Sequence, residues 1–234
     1  MQYNMIKDIT GRAIKDFYDQ TSVAKLWIYN RYGPKEEMPL STYFRNEQEM
    51  PELELVALQH CKGKVLDIGA GAGSHSLILQ QRGINVAGLD ISPLSVQIMQ
   101  QRGLHQFICA DIFEYCAGSY DTLLLLMNGI GLAGTIDRFK LFLQHTKSLL
   151  LPNGQMLLDS SDVAYLYQGK GFPQHRYYGE IQYQYSYKSQ KTDWFSWLYI
   201  DSGTLTQIAV QEGWKVEILF DDGYDQYLAK LTLV

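Results

Sequence analysis

Cysteine is scarce in this chain. Cys61, Cys109 and Cys116 form an odd, irregularly spaced set with no metal-ligand pattern, and they read as reduced thiols of a cytoplasmic protein. Positive charge is short as well: 20 Lys and Arg stand against 25 Asp and Glu, a net charge of −5. That balance argues against broad, charge-driven binding to nucleic acid. No apolar run is long enough to cross a bilayer, and the start, MQYNMIKDITGR, lacks the apolar core of a signal peptide. Internal repeats, low-complexity tracts and long linkers are missing too. What is left is 234 residues, 46% hydrophobic and 19% charged, which suits one globular core with a small appendage.

Within that core one stretch stands out, KVLDIGAGAG at 64–73. Val65, Leu66 and Ile68 make a short apolar run with the profile of a buried parallel strand. The run breaks into Gly69, Gly71 and Gly73, and Ser74 opens a helical pattern that lasts to Gly83. A strand, a glycine turn and a helix N-terminus in that order build a nucleotide-binding crevice, because the glycines let a ligand approach the backbone.

Upstream, residues 6 to 31 read as one or two helices, with Ile14, Phe17 and Tyr18, then Val23, Leu26 and Trp27, at helical spacing until Gly33-Pro34. They suit a cap on the core edge or a lid over the crevice. Lys35 to Glu49 is polar and irregular and holds Tyr43, Phe44 and Arg45; Met50-Pro51 opens a further helix. An Arg in that loop is either a clamp for a carboxylate or a solvated surface charge.

Downstream, Asn85 to Leu89 is a second strand that ends at Asp90. Asp90 lies about 20 residues beyond the first glycine, where a carboxylate accepts hydrogen bonds from ribose hydroxyls. The alternative is a turn-forming acid. Ser92-Pro93 starts the next helix with a good N-cap and a Pro at the first position. A third strand, Gln106 to Ala110, ends at Asp111, a carboxylate suited with the Ile112 amide to the amino edge of a purine. The fourth, Tyr120 to Met127, is apolar throughout and runs into Asn128-Gly129-Ile130-Gly131, read as a turn that lets a substrate lie near the cofactor. Thr135 caps a helix, and Pro152 to Gly154 turn into a fifth strand, Gln155 to Asp159. Five strand–helix repeats specify a parallel α/β sheet.

The pattern then changes to strict alternation. Ile181, Tyr183, Tyr185 and Tyr187 share one face of 178–188, and Trp194 to Ile200 follows after a polar turn. This is an antiparallel hairpin whose aromatic face either packs on the core or walls a substrate pocket. Ser202 or Thr204 caps a last helix, and Lys215 to Phe220 and Gln226 to Leu233 close the chain as an antiparallel pair.

Taken together, these pieces resemble the class I S-adenosylmethionine (SAM) dependent methyltransferases. VLDIGAGAG (65–73) looks like the family's first motif, VAGLDIS (86–92) the second and ADI (110–112) the third. YDTLLLLMNGIG (120–131) and LLLPNGQMLLD (149–159) match the fourth-strand and fifth-strand segments. The resemblance implies an α/β fold: a seven-stranded Rossmann-like methyltransferase sheet, last strand antiparallel, with N-terminal helices and an inserted β-hairpin. It divides the chain into a cap and loop at 1–49 and a methyltransferase core at 50–234, with a substrate-side insertion at about 163–200. It also implies cofactor roles. Gly69, Ala70, Gly71 and Gly73 back the methionine part of SAM, and Asp67 orders that loop or meets the amino group. Asp90 takes the ribose hydroxyls, Ile91 lies against the adenine, and Asp111 and Ile112 bind its edge. Asn128 lies beside the sulfonium through its backbone, and Arg45 is similar to an arginine that some small bacterial members place on the SAM carboxylate.

Departures narrow the chemistry. The N-P-P-aromatic tetrapeptide of amino-methylating nucleic-acid enzymes is absent, as is a Pro-Cys nucleophile, and the acids near strands four and five are too few for a catechol-type metal site. No metal, nucleic-acid or membrane partner is expected. Base candidates are His175, Asp159 and the tyrosines of the insertion, and the sequence chooses none of them as catalytic. Acidity and the aromatic insertion point to a small-molecule acceptor. The alternatives are a protein methyltransferase, an NAD-dependent dehydrogenase, which normally spaces its glycines GxGxxG rather than GxGxG, and a non-catalytic SAM-binding protein.

Overall fold

The computed structural model describes residues 8–169 and 171–234. In chain order the elements are α1 (Ile9–Tyr18), β1 (Leu26–Asn30), β2 (Glu36–Met38), α2 (Glu52–His60), β3 (Lys64–Ile68), α3 (Ser74–Gln81), β4 (Asn85–Asp90), α4 (Pro93–Gln101) and β5 (Phe107–Cys109). Then come β6 (Tyr120–Leu125), α5 (Ile136–Thr146), β7 (Leu150–Ser161), β8 (Glu180–Tyr187), β9 (Gln190–Lys191), β10 (Phe195–Leu198), α6 (Ser202–Gln211), β11 (Trp214–Asp221) and β12 (Gln226–Leu233). The main sheet has seven strands in the order β11-β12-β7-β6-β3-β4-β5. Strands β4 and β5, and β6 and β7, pair in parallel, whereas β12 runs antiparallel to both β7 and β11. This is the α/β sheet with a reversed last strand that the alternation of apolar runs and helices specifies.

The chain forms two compact units from interleaved segments. One comprises the chain up to Met50, Asp67–Tyr115 and Gln182–Phe195. Its core joins Ile9, Ala13 and Ile14 of α1 to Leu26, Leu40, Ala72, Ile98 and Tyr187, with Tyr43, Phe44 and Tyr185 packed around them. The other comprises Pro51–Leu66, Cys116–Ile181 and Ser196–Val234. There Leu123 to Leu125 and Met156 to Leu158 are wholly buried, together with Phe139, Phe142 and Trp214. Runs buried on both faces belong to strands covered on both sides by helices. Thr135 caps α5 as expected, its side chain accepting the Arg138 N–H.

Several local expectations are corrected. In the stretch 6–31, residues 6 and 7 lie outside the described residues, α1 ends at Tyr18, and the second apolar group is strand β1, not helix. Leu26-Trp27-Ile28-Tyr29 is aromatic and β-branched, and its backbone pairs with β8 (Leu26↔Tyr187, Ile28↔Tyr185) and with β2. The inserted hairpin is therefore part of a second sheet, ordered β10-β8-β1-β2 with β9 on β8. The segment 35–49 contains β2 and two 3-10 turns, Leu40–Phe44 and Glu47–Glu49, rather than irregular chain alone. Pro152 to Gly154 lie within β7, where the pairing with β6 slips between Tyr120 and Thr122 and Asn153 is left-handed at φ +62°. Helix α6 is capped by Asp201, whose carboxylate accepts the Thr204 N–H at 2.8 Å, instead of by Ser202 or Thr204.

One ionic tie holds α1 to the end of β8. The buried Asp16 carboxylate accepts from Lys188 Nζ at 2.7 Å and from the Tyr187 hydroxyl at 3.2 Å, and Arg12 Nε lies 3.2 Å away. Burial alone would push this carboxyl up, but Lys188, Tyr187 and Arg12 together hold it below its ordinary value. Its stabilisation is therefore complete above the ordinary value of 3.8 and fades as pH falls through the lower folded value. Asp16→Asn should cost about 1–2 kcal/mol at pH 7 in urea denaturation, and the gap to the parent should close in strong acid. A gap of the same size at both ends of that range would show that the charge is not what matters.

Candidate functional site

Strand β3 delivers the chain into the glycine loop with its amides committed to the end of β4. Gly69 and Ala70 N–H donate to the Leu89 carbonyl at 2.8 and 3.0 Å. Gly71 N–H donates to the Asp90 carboxylate at 2.8 Å, and Gly73 N–H to the Ala70 carbonyl. Gly69 sits at φ +74°, and a Cβ there would face open space, so the backbone at that point is approachable. Gly71, at φ +56°, lies beneath the Tyr43 ring, 3.2 Å from where its Cβ would stand. Gly73 begins α3 in the left-handed conformation.

Asp90 closes β4 half-buried. One oxygen accepts the Gly71 N–H and the other the Ser92 N–H, each at 2.8 Å. Burial, foremost, pushes its carboxyl up to about 6; the nearby Asp8 and Asp67 add to this, and the two N–H bonds oppose it. A carboxylate offers about four acceptor positions, so each oxygen keeps one for a ligand. Asp67 is 2% exposed and accepts the Ser76 hydroxyl at 2.6 Å, a bond that ties β3 to the first turn of α3 behind the loop. Burial pushes its carboxyl up too, against the pull of His75 and Ser76.

The remaining expected residues are placed as follows. Ile91 is 39% exposed beside Asp90. Asp111 follows β5 and turns one oxygen back to the Phe113 N–H at 3.0 Å, while the Ile112 side chain is buried. Arg45 follows the 40–44 turn and is half-buried. In the other unit, Asn128 is left-handed at φ +55°, with its N–H on the Asp159 carboxylate at 2.8 Å and its side-chain oxygen accepting from Ser161. The structure thus brings Gly69, Ala70, Gly71 and Asp90 together around one loop, sets Asp67 behind it, and groups Asn128 with Asp159 and Ser161.

Sequence reading passed over two supports of this loop and one occupant of the second glycine turn. Tyr43 covers Gly71, and its carbonyl accepts the Ser74 hydroxyl at 2.7 Å. Its own hydroxyl is pushed up to about 12 by burial and by Asp90. Arg102, at the end of α4, donates to the Ala72 carbonyl at 2.6 Å and to Ser74, with its guanidinium over Phe44. Trp197 occupies the second glycine turn: a Cβ on Gly131 would run into its indole. Those glycines therefore admit a side chain of the protein itself, where the sequence suggested room for substrate.

The base candidates are constrained as well. His175 is exposed, and Asp159 already accepts the Asn128 N–H. The Tyr177 hydroxyl donates to Asp201, and burial followed by that acid pushes it up to about 12. Tyr178, donating to Asp162, is displaced in the same direction. Both hydroxyls keep their protons at neutral pH. Among the described residues no group of three or more His, Cys, Asp or Glu is placed to hold a metal ion, and no helix is long and apolar enough to cross a membrane.

A seven-stranded sheet with a reversed last strand, a glycine loop after its first core strand and an acid at the end of the next define a class I methyltransferase fold. Comparison with known proteins agrees. A family model described as a methyltransferase domain matches residues 65–154. A SAM-dependent methyltransferase from Bacteroides fragilis, solved with S-adenosyl-L-homocysteine, is 40% identical, with 97% of this chain and 95% of that one covered and a TM-score of 0.90. A SAM-dependent methyltransferase from Clostridium acetobutylicum shares the fold at 12% identity, covering 80% of this chain and 93% of that one, TM-score 0.59. So does an amino pentose methyltransferase from Micromonospora echinaspora, 12% identical over 79% and 93%, TM-score 0.53. The chain belongs to the SAM-dependent methyltransferases. Its methyl donor is accordingly SAM.

Gly71→Ala places a Cβ at positive φ and against the Tyr43 ring, and should destabilise the fold by about 1–3 kcal/mol. Adding Tyr43→Ala should return only the part due to crowding. Full recovery in that double-mutant cycle, read by thermal denaturation, would mean that backbone strain contributes nothing.

Proposed function

We propose that this methyltransferase acts on a small-molecule acceptor, with the cofactor held by Arg45, Asp67, Gly69, Ala70, Gly71, Gly73, Asp90, Ile91, Asp111, Ile112 and Asn128. The open face at Gly69, the free acceptor position on each Asp90 oxygen and the exposed Ile91 fit a methionine chain, a ribose diol and an adenine respectively. When bound, SAM supplies an electrophilic sulfonium methyl. The contribution of the chain is then orientation, which is worth up to about 7–11 kcal/mol of barrier, rather than proton removal by Tyr177 or Tyr178.

One observation carries the acceptor class. The aromatic face of β8 packs in the same core as Ala72 of the glycine loop, and Tyr43, Tyr183, Tyr185 and Phe195 cluster there, with Tyr185 and Phe195 edge to face at 5.1 Å. The Tyr43 ring over Gly71 and the flat rings grouped about Tyr185 favour a small apolar or aromatic molecule over an extended polymer. On this reading residues 1–49 and the insertion at about 163–200 are the substrate-side parts, and 50–234 is the core. Three free cysteines, two of them exposed, favour the cytoplasm.

The test is incorporation of label from methyl-labelled SAM into a metabolite extract, with a protein extract run in parallel; label in protein alone would overturn the acceptor class. Asp90→Ala should weaken SAM binding by about 1.5–3 kcal/mol in calorimetry, and unchanged affinity in a folded variant would remove the ribose role. With an acceptor in hand, Tyr185→Ala should raise the acceptor KM at least about tenfold while leaving SAM affinity within a factor of about 2. Equal losses on both would make the aromatic face structural.

A further inference from the structure

The geometry points to Asp8 as a positioning residue for the cofactor, acting through Ser92 on the ribose acid Asp90. The inference rests on the ribose role proposed for Asp90. Asp8 is 4% exposed and caps α1: one oxygen accepts the Gly11 N–H at 2.9 Å, and the other accepts the Ser92 hydroxyl at 2.6 Å. Ser92 has no slack of its own. Its hydroxyl oxygen accepts the Ser95 N–H at 3.0 Å as the cap of α4, its hydroxyl proton goes to Asp8, and its backbone N–H goes to Asp90. Two capping groups in series, Asp8 and Ser92, thus connect the start of α1 to the oxygen of Asp90 that Gly71 does not hold.

Gly11 shows how tight this junction is. A Cβ there would run into both the Ser92 hydroxyl and the Asp8 carboxylate. Glycine is among the poorest helix formers, so its place in the first turn of α1 follows from this close approach and not from local propensity.

The coupling is electrostatic as well as geometric. Asp90 is faced by Asp8 from α1, Asp67 from β3, Tyr43 from the 40–44 turn and Cys109 from β5. The Asp8 charge makes Asp90 harder to ionise, and ribose hydroxyls need the ionised form as acceptor. Docking of α1 therefore sets both where the clamp stands and over which pH range it works.

Calorimetric titration of the full chain with S-adenosylhomocysteine from pH 5 to 8 tests this. In Asp8→Asn, loss of the like charge should move the acid limb of affinity down by about half a pH unit. Gly11→Ala, whose Cβ would press on both the Ser92 hydroxyl and the Asp8 carboxylate, should weaken binding roughly tenfold at pH 8. An acid limb that stays put, with unchanged affinity in Gly11→Ala, would make Asp8 a plain helix cap. If Asp8→Asn fails to fold, Gly11→Ala decides alone. Asp90→Ala separates the two readings: intact affinity there sinks the ribose role and this inference with it, whereas weakened affinity there beside unchanged Asp8 and Gly11 variants sinks this inference only.

Discussion

The bond from the Gly71 N–H to the Asp90 carboxylate is the constraint on which the glycine loop of this protein depends. It completes a series in which three successive loop amides, of Gly69, Ala70 and Gly71, are taken by the last two residues of β4. A loop of left-handed glycines has a large conformational entropy to lose, and committed amides are what offset that loss. The same bond draws Asp90 inward, where burial pushes its carboxyl up to about 6. The sign matters here. A carboxyl raised in the folded state binds protons more tightly than in the unfolded chain, so ionising it works against folding as pH rises toward neutrality. A ligand that donates hydrogen bonds to the ionised form reverses that effect. On the ribose role proposed for it, Asp90 is a position where stability is yielded for binding.

What could be read from the sequence follows from the range of each interaction. β3, β4 and β6 were legible because each is a short apolar run buried on both faces, and Ser92 and Thr135 because a cap is satisfied within three residues. β1 was not. Its partner β8 lies more than 150 residues further along the chain, and aromatic residues at helical spacing fit a half-buried strand equally well. The candidate site divides in the same way. Gly69 to Gly73 and Asp90 stand in local motifs, whereas Tyr43 over Gly71, Arg102 on Ala72 and Trp197 on Gly131 are contacts across long sequence separations. Glycine at 131 signals a close approach without saying whether a ligand or an indole makes it. Asp201 was overlooked as a cap because Ser202 and Thr204 beside it are equally good cap types.

α1 joins these themes, because it carries a buried carboxylate near each end in opposite electrostatic settings. Asp16 meets the cations Lys188 and Arg12 and is held below its ordinary range. Asp8 accepts from a hydroxyl and an amide, and its charge adds to the burial that raises Asp90. The two ends therefore respond to acid in a fixed order. As pH falls from neutrality Asp90 takes up its proton first, near 6, while the Asp16 tie to β8 stays intact until below the ordinary carboxylate value. On the ribose role proposed for Asp90, mild acid should weaken the clamp on the cofactor while α1 remains docked. Loss of binding and loss of structure are separated in pH because one carboxylate is paired with cations and the other is crowded by acids.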